Sequence, residues 1–253
     1  MRIVSLASGS GGNAYVVDSK YETLLIDCGL SYAELARRAY RAGIALANVI
    51  GVLFTHEHTD HTRGASMFEK RHPEVPFFAN LSTAEAIGSK NFVVFENDQP
   101  FEFGPFEITA FSIPHDVSDP VGYLVKAEGK TYFHATDFGA PLESIGRKFF
   151  EANVATLESN HDSMLLERSN RPEYLKQRIR GDRGHLSNDD AARFVEIYSS
   201  YKLEYLALAH LSRECNEPHL VLKTMRDMLY STQREDITLE ILSQDEPSEG
   251  WVC

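Results

Sequence analysis

Apolar positions in the first half of the chain fall into short runs, rich in β-branched residues and separated by turn residues. This pattern predicts strands. The runs cover residues 2–7, 13–18, 22–29 and 48–56. Between the last two runs, Ser31 and Glu34 have the spacing of a capping box, and Gly43 lies where a helix C-terminal cap is expected. We therefore expect a helix between these strands.

The second half shows the same alternation of strand and helix patterns. Its predicted strands cover residues 75–79, 106–113, 121–127, 130–137, 153–159, 203–212 and 236–242. Its predicted helices lie near 172–180, from Ser187 to about Tyr201, and near 217–231. Two face-to-face sheets with helices outside bury both kinds of surface, which predicts an α/β fold arranged as a four-layer αββα sandwich. Without a repeat or a long linker, we expect one domain over residues 1–253.

The composition is that of an ordinary globular protein, with 43% hydrophobic residues among 253. The N-terminal apolar stretch is too short for a signal-peptide core, and no run reaches the roughly 18 apolar residues of a membrane span. We therefore expect a cytoplasmic protein without a membrane partner. Cys28, Cys215 and Cys253 are few and widely spaced, which argues against a disulfide framework and a thiolate zinc cluster.

The formal charge of −12 disfavours attraction of the whole surface to nucleic acid or an anionic membrane. One local exception is residues 167–183, where six basic residues stand against three acidic ones. This basic stretch has two interpretations at this stage. It is either a solvated helix face with i,i+4 ion pairs or a contact surface for a polyanionic substrate.

The segment FTHEHTDHTRG, residues 54–64, concentrates potential metal ligands directly after an apolar strand. We expect His56, His58, Asp60 and His61 to lie in a tight loop before a helix that begins near Thr62. In extended chain, His56 and His58 can reach one metal, while Asp60 and His61 on the following turn can reach a second. The spacing therefore predicts a site with two metals.

A two-metal site needs further ligands from distant loops, and strand ends position such ligands well. Three candidates follow apolar strands: His115, Asp137 and His210. A carboxylate at the middle position can bridge two metals. His134 lies within a predicted strand and is interpreted as structural, whereas His72 and His219 are interpreted as surface residues.

This order of motifs resembles the metallo-β-lactamase-fold hydrolases over nearly the whole chain. The resemblance implies that one metal is held by His56, His58 and His115, the other by Asp60, His61 and His210, with Asp137 bridging. It also implies that Asp27 orients a histidine and that Asn13 supports the floor of the site. The Gly-rich segment before Asn13 precedes a strand rather than a helix, so it predicts a hairpin turn instead of a nucleotide cradle.

The segments ESNHD and GHLSN resemble motifs of ribonuclease Z and its relatives. That resemblance implies that Glu158 orients His185, which donates a proton to the departing oxygen of a phosphodiester, while Asp60 belongs to the catalytic metal site. The full motif set resembles the YycJ (WalJ)-type exonuclease family. The β-CASP cap domain of larger nucleases is not expected, because only 26 residues separate Glu158 from His185.

The sequence thus predicts a binuclear phosphodiesterase, a DNA exonuclease with a nucleic-acid partner and two divalent cations that are zinc, manganese or iron. The predicted substrate contacts are Asn160, His161, Arg178, Arg180 and Arg183. A small-molecule hydrolase acting on a cyclic phosphodiester, lactone or thioester remains an alternative. A metal-bearing scaffold without catalysis is the other.

Overall fold

The first sheet of the fold is built mainly from the first third of the chain. A computed structural model describes residues 1–20 and 22–252, so Cys253 lies outside the described residues. The strands of this sheet are β1 (Arg2–Ala7), β2 (Ala14–Ser19), β3 (Glu22–Ile26), β4 (Val49–Leu53), β5 (Phe77–Ala79), β6 (Phe92–Val94) and β14 (Trp251–Val252). Their order is β14-β1-β2-β3-β4-β5-β6, antiparallel up to β3 and parallel from β3 to β6.

The second sheet repeats this arrangement with later strands. They are β7 (Phe101–Phe103), β8 (Phe106–Ser112), β9 (Val121–Ala127), β10 (Lys130–Ala135), β11 (Val154–Glu158), β12 (Tyr205–Ala209) and β13 (Thr238–Ile241). Pairing is antiparallel from β7 to β10 and parallel from β10 to β13. The carboxyl ends of β10, β11 and β12 therefore meet at one edge.

Helices cover the outer faces of both sheets. They are α1 (Tyr32–Arg41), α2 (Thr59–Thr62), α3 (Ala65–Arg71), α4 (Leu81–Ile87), α5 (Glu143–Phe149), α6 (Ser163–Arg168), α7 (Glu173–Arg180), α8 (Asn188–Tyr198) and α9 (Pro218–Ser231). One apolar cluster joins the facing sheets, a second packs α1, α3 and α4 on the first sheet, and a third packs α5, α8 and α9 on the second. The predicted αββα sandwich is confirmed.

Helix α1 shows how local sequence sets an element. Ser31 caps it by accepting a hydrogen bond from the Glu34 backbone N–H at 3.3 Å, and Gly43 follows it with φ +70°. The other predicted contact of the capping box, from the Ser31 backbone N–H to the Glu34 carboxylate, is wrong. The Glu34 carboxylate pairs with Arg37 and Arg38 at 2.6 Å, because charged partners compete better than a backbone N–H.

The loop predicted around the histidine motif is also partly wrong, because Asp60 and His61 lie in the short helix α2. The backbone N–H groups of His61 and Thr62 both donate to the His58 carbonyl, at 2.9 and 3.1 Å, which closes this turn earlier than predicted. Between Glu158 and His185 the chain forms only α6 and α7, so there is no cap domain at this position.

None of the helices in residues 1–20 and 22–252 has the length and apolar character needed to span a bilayer. The cytoplasmic location stays a prediction. Cys28 and Cys215 are buried and unpaired within the same residues, as the sparse cysteine pattern predicts.

Candidate active site

Four polar residues of the candidate site follow the carboxyl ends of strands that pair in parallel with a neighbour. Asp27 follows β3, His56 follows β4, and Asp137 and His210 follow β10 and β12. Asp27, Asp137 and His210 adopt left-handed backbone conformations, with φ of 60°, 62° and 56°. Such conformations are uncommon for residues other than glycine and cluster at functional sites, where the surrounding structure enforces them. The chain thus turns sharply at each strand end and directs a polar side chain into a common space.

His56, His58 and His115 form the first cluster of potential ligands. One ring nitrogen from each lies within 4.8 Å of the others. The Nε2 atom of His56 is 3.1 Å from Nδ1 of His58, and the His115 ring lies 5.3 Å from that of His56. Three imidazoles from two separate loops converge here, which is the arrangement that a divalent metal requires.

Asp60, His61 and His210 form a second cluster within the same limit of 4.8 Å. Asp137 lies between the clusters. Its Oδ2 atom is 3.3 Å from His61 Nε2, and its Oδ1 atom is 3.3 Å from His210 Nε2 and 4.0 Å from His115 Nε2. All seven predicted ligands are therefore brought together, with Asp137 in the position that a bridging carboxylate would occupy.

The chemistry of this group fits divalent metals. Asp137 Oδ2 and His210 Nε2 are buried without a hydrogen bond to any described residue. Such orphaned atoms are rare and call for a specific partner. Burial raises the pKa of Asp137, but His210 and His61 together lower it by more than burial raises it. The net pKa is well below the usual range, so the carboxylate is available to a cation.

Asp27 and Asn13 support the second cluster from behind. The Asp27 Oδ2 atom is 2.7 Å from His61 Nδ1, and Oδ1 accepts the Thr55 backbone N–H at 2.9 Å. This contact directs Nε2 of His61 towards Asp60 and Asp137. Asn13 Nδ2 lies 3.0 Å from His61 Nε2 and 3.4 Å from Asp60 Oδ2. Both side chains contact His61, and the supporting roles that the resemblance implies for them stay predictions.

Glu158 connects the second cluster of potential ligands to His185. It is fully buried, and its Oε1 atom lies 2.8 Å from His185 Nδ1 and 2.9 Å from His210 Nδ1. Its Oε2 atom accepts backbone N–H groups of Phe138 at 3.0 Å and Leu186 at 3.2 Å. The contact with His185 matches the sequence prediction, whereas the contact with His210 was not predicted. One carboxylate therefore orients two functional histidines.

The charges of this pair favour a protonated His185. Burial lowers the pKa of His185, but the adjacent Glu158 carboxylate raises it, to a net value of about 9. Burial raises the pKa of Glu158, whereas His185 lowers it, to a net value of about 2. The His185 side chain is 22% exposed, so it also reaches the solvent side of the site. A protonated, partly accessible imidazole beside the candidate ligands is suited to proton donation.

Two of the predicted substrate contacts, Asn160 and His161, are almost fully buried. Asn160 Nδ2 donates to the His210 carbonyl at 2.8 Å, and burial lowers the pKa of His161 to about 4. A polymer on the surface does not reach side chains in this position. The prediction that they contact substrate is not supported by their burial, and Asn160 instead supports the His210 loop.

The three predicted arginine contacts have different surroundings. Arg178 pairs with Asp116 and lines a cavity of about 190 Å³ beside His115 and His185. Arg180 pairs with Glu167 and Glu173, both at 3.2 Å. Arg183 donates to the carbonyls of His115 at 2.9 Å and Val117 at 3.1 Å. Arg178 thus lies beside the candidate site, whereas Arg180 is ion-paired with two glutamates and Arg183 stabilises the loop that carries His115.

Sequence reasoning missed two residues at the site. Thr55 Oγ1 lies 2.9 Å from Asp27 Oδ2, 3.0 Å from His56 Nδ1 and 3.2 Å from His61 Nδ1. Asp116 Oδ1 is 3.3 Å from His115 Nε2. Adjacency in sequence to His56 and His115 was the available signal. His134 is buried in β10, 3.1 Å from the Tyr132 hydroxyl. His219 is exposed, but the interpretation of His72 as a surface residue is wrong, because its side chain stacks on Phe68 and lies 2.9 Å from the Tyr32 hydroxyl.

Comparisons with known proteins show the family and the fold of this chain. The family described as "Beta-lactamase superfamily domain" matches residues 22–210. The chain is 30% identical to the exodeoxyribonuclease YycJ of Bacillus anthracis, over 88% of this chain and 87% of that protein. It is 29% identical to the exodeoxyribonuclease WalJ of Streptococcus pneumoniae, with 88% and 86% covered. The metallo-β-lactamase-fold protein YhfI of Bacillus subtilis superposes with a TM-score of 0.73 at 17% identity, over 98% of both chains.

Proposed function

Because the chain belongs to the β-lactamase superfamily and, within it, to the family of the YycJ and WalJ exodeoxyribonucleases, we propose that it is a metal-dependent phosphodiesterase that degrades DNA from an end. The observation that carries the proposal is the Glu158–His185 pair, in contact with His210 beside the candidate ligands. This pair supplies a proton donor for a poor leaving group such as the sugar oxygen of DNA.

In this proposal the seven gathered side chains hold two divalent cations, which are zinc, manganese or iron. Asp137 would be the shared ligand, because it lies 3.3 Å from His61 of the second cluster through Oδ2 and 4.0 Å from His115 of the first through Oδ1. Bound metals would act as Lewis acids on a phosphodiester and lower the pKa of an attacking water. Asp27 would hold His61, and Asn13 would hold Asp60, in the orientation needed to bind a metal.

His185 acts on the leaving group. Its Nδ1 side is held by Glu158, so its Nε2–H is the proton that it donates to the departing oxygen. The pKa of about 9 keeps that proton in place at neutral pH. Deprotonated His185 recovers a proton from solvent, since its side chain is partly exposed.

The substrate is proposed to be a polymer that lies across a shallow site. Only α6 and α7 stand where β-CASP nucleases carry a cap, so substrate contacts come from the core's own helices and loops. Arg178, on α7 beside the His115 and His185 cavity, is the predicted contact that the geometry supports best. A phosphate that replaces Asp116 as its partner would gain a charge-assisted hydrogen bond.

A time course on end-labelled single- and double-stranded DNA and RNA, with manganese or with zinc, tests the proposal. We expect products that shorten progressively from one end of DNA. Parallel assays with a chromogenic phosphodiester, a lactone and a thioester distinguish the alternatives. Turnover of the lactone or thioester alone would favour a small-molecule hydrolase, and no turnover of any substrate with metal restored would favour a scaffold.

A further inference from the structure

Helix α7 carries an exposed aromatic residue that nothing in the core explains. Tyr174 is 73% exposed, and its hydroxyl makes no hydrogen bond to any residue in the described ranges. The opposite side of the helix supplies the anchor, because Ile179 and Leu175 pack with Leu166 and Cys215. Tyr174 is therefore not needed for the packing of α7 against the rest of the protein.

The position of Tyr174 relative to the active site points to a ligand. It precedes Arg178 by four residues, which places both side chains on one face of the helix. Arg171 stands three residues before it, and both arginines line the cavity that also contains His115 and His185. The exposed ring thus shares a helix face with Arg178, which lines the cavity that contains His185.

The cavity itself is too small to enclose a base with its sugar and phosphate. Its volume of about 190 Å³ falls below the range of roughly 300–1,000 Å³ for pockets that enclose small-molecule ligands. A phosphate of a strand can enter between Arg171 and Arg178 if it replaces their carboxylate partners, Glu214 and Asp116, whereas the attached base must remain outside. The nearest exposed π-face on the same helix face is Tyr174.

We propose that Tyr174 and Arg178 on α7, with Arg171 just before the helix, form a platform that binds an unpaired stretch of the substrate strand, with one base stacked on the tyrosine ring. This inference rests on the proposed nuclease function and adds the class of substrate, which is a single-stranded segment. Aromatic rings between cations are the common means of holding single strands without sequence preference. Bases inside a duplex are already stacked on both sides and do not use the platform.

The test compares binding of single-stranded oligonucleotides by metal-loaded wild-type protein, Tyr174→Ala and Tyr174→Phe. We expect Tyr174→Ala to raise the Kd for a single strand about 5- to 100-fold and Tyr174→Phe to stay near the wild type, because phenylalanine keeps the π-face. The salt dependence of binding should not change in Tyr174→Ala, since no phosphate contact is lost. Tyr201→Ala is the matched control, because Tyr201 is 83% exposed and precedes β12 at the end opposite His210.

An oligonucleotide with one abasic position provides a second readout. When the abasic position lies opposite Tyr174, the affinity of the wild type should fall as much as it does in Tyr174→Ala. The same abasic position should weaken binding by Tyr174→Ala very little further. Equal affinities of Tyr174→Ala and wild type, or equal losses on a blunt duplex, would overturn the platform while leaving nuclease activity standing. Failure of the wild type to bind or cleave any nucleic acid would remove the proposed function and the platform together.

Discussion

Replacing Glu158 by Gln should disable two histidines at once. Phe138 and Leu186 donate backbone N–H groups to Oε2, so the glutamine carbonyl must remain on that side. Its amide NH₂ then faces Nδ1 of His185 and His210, where the carboxylate oxygen was at 2.8 and 2.9 Å. Both rings must now accept at Nδ1, which moves their proton to Nε2. For His210, that atom is the proposed metal ligand.

The expected magnitudes follow from these contacts. A Glu158 pKa of about 2 in place of the ordinary 4.5 means that the site favours the carboxylate by about 3 kcal/mol. Losing an orienting partner of this kind typically weakens metal binding about 10- to 100-fold. Losing a positioned proton donor slows cleavage by roughly 10²- to 10⁴-fold. Glu158→Gln should therefore show both defects, and excess metal should repair only the first.

Competition with a chromogenic chelator measures the metal affinities, and DNA cleavage at saturating metal measures the rate. His185→Ala is the matched control, because it removes the proton donor but keeps the contact between Glu158 and His210. We expect wild-type metal affinity in His185→Ala and a weaker second metal in Glu158→Gln. Identical metal affinities in both variants would refute the claim that one carboxylate serves both histidines.

Three further predictions concern the metals, the substrate and the pH dependence. Asp137→Ala should lower both metal occupancies in elemental analysis, since its carboxylate lies 3.3 Å from His61 in the second cluster and 4.0 Å from His115 in the first; a single metal in the wild type would contradict the binuclear site. Arg178→Glu should weaken DNA binding and reduce its salt slope by about one, whereas Arg180→Glu, with the same charge change away from the cavity, should do less. Equal effects would indicate only general charge repulsion. DNA cleavage should fall as pH rises through about 9, because the proton of His185 is then lost; a flat profile would remove it as the acid.

The strand ends were predictable because apolar runs followed by polar ligands are visible in sequence. Asp137 and His210 each follow such a run, and the parallel register then brings them together. The double role of Glu158 was not predictable. It depends on the pairing of Glu158 with Ala209 in β12, which places His210 one residue further along. An alternating pattern would help to fix the register, but β11 and β12 are buried at every position, so their sequences carry no such pattern.

Other differences have equally local causes. Helices α4, α5 and α6 are six or seven residues long, too short for a clear apolar period, and they depend on tertiary packing. The arginines of the basic stretch looked equivalent in sequence. In the structure, Arg178 lines the cavity, Arg180 pairs with two glutamates, and Arg183 supports the His115 loop. These differences depend partly on residues that are distant in the chain, such as Asp116 for Arg178.

In the proposed reaction, His185 donates a proton to the leaving group of a phosphodiester beside two metals. The most direct measurement compares wild type and His185→Ala on DNA and on a nitrophenyl phosphodiester, with metal content determined for both. Nitrophenolate needs little proton donation to depart, so the account predicts a loss of roughly 10²- to 10⁴-fold on DNA, a much smaller loss on the nitrophenyl ester, and unchanged metal content. Equal losses on both substrates, or loss of a metal, would contradict it.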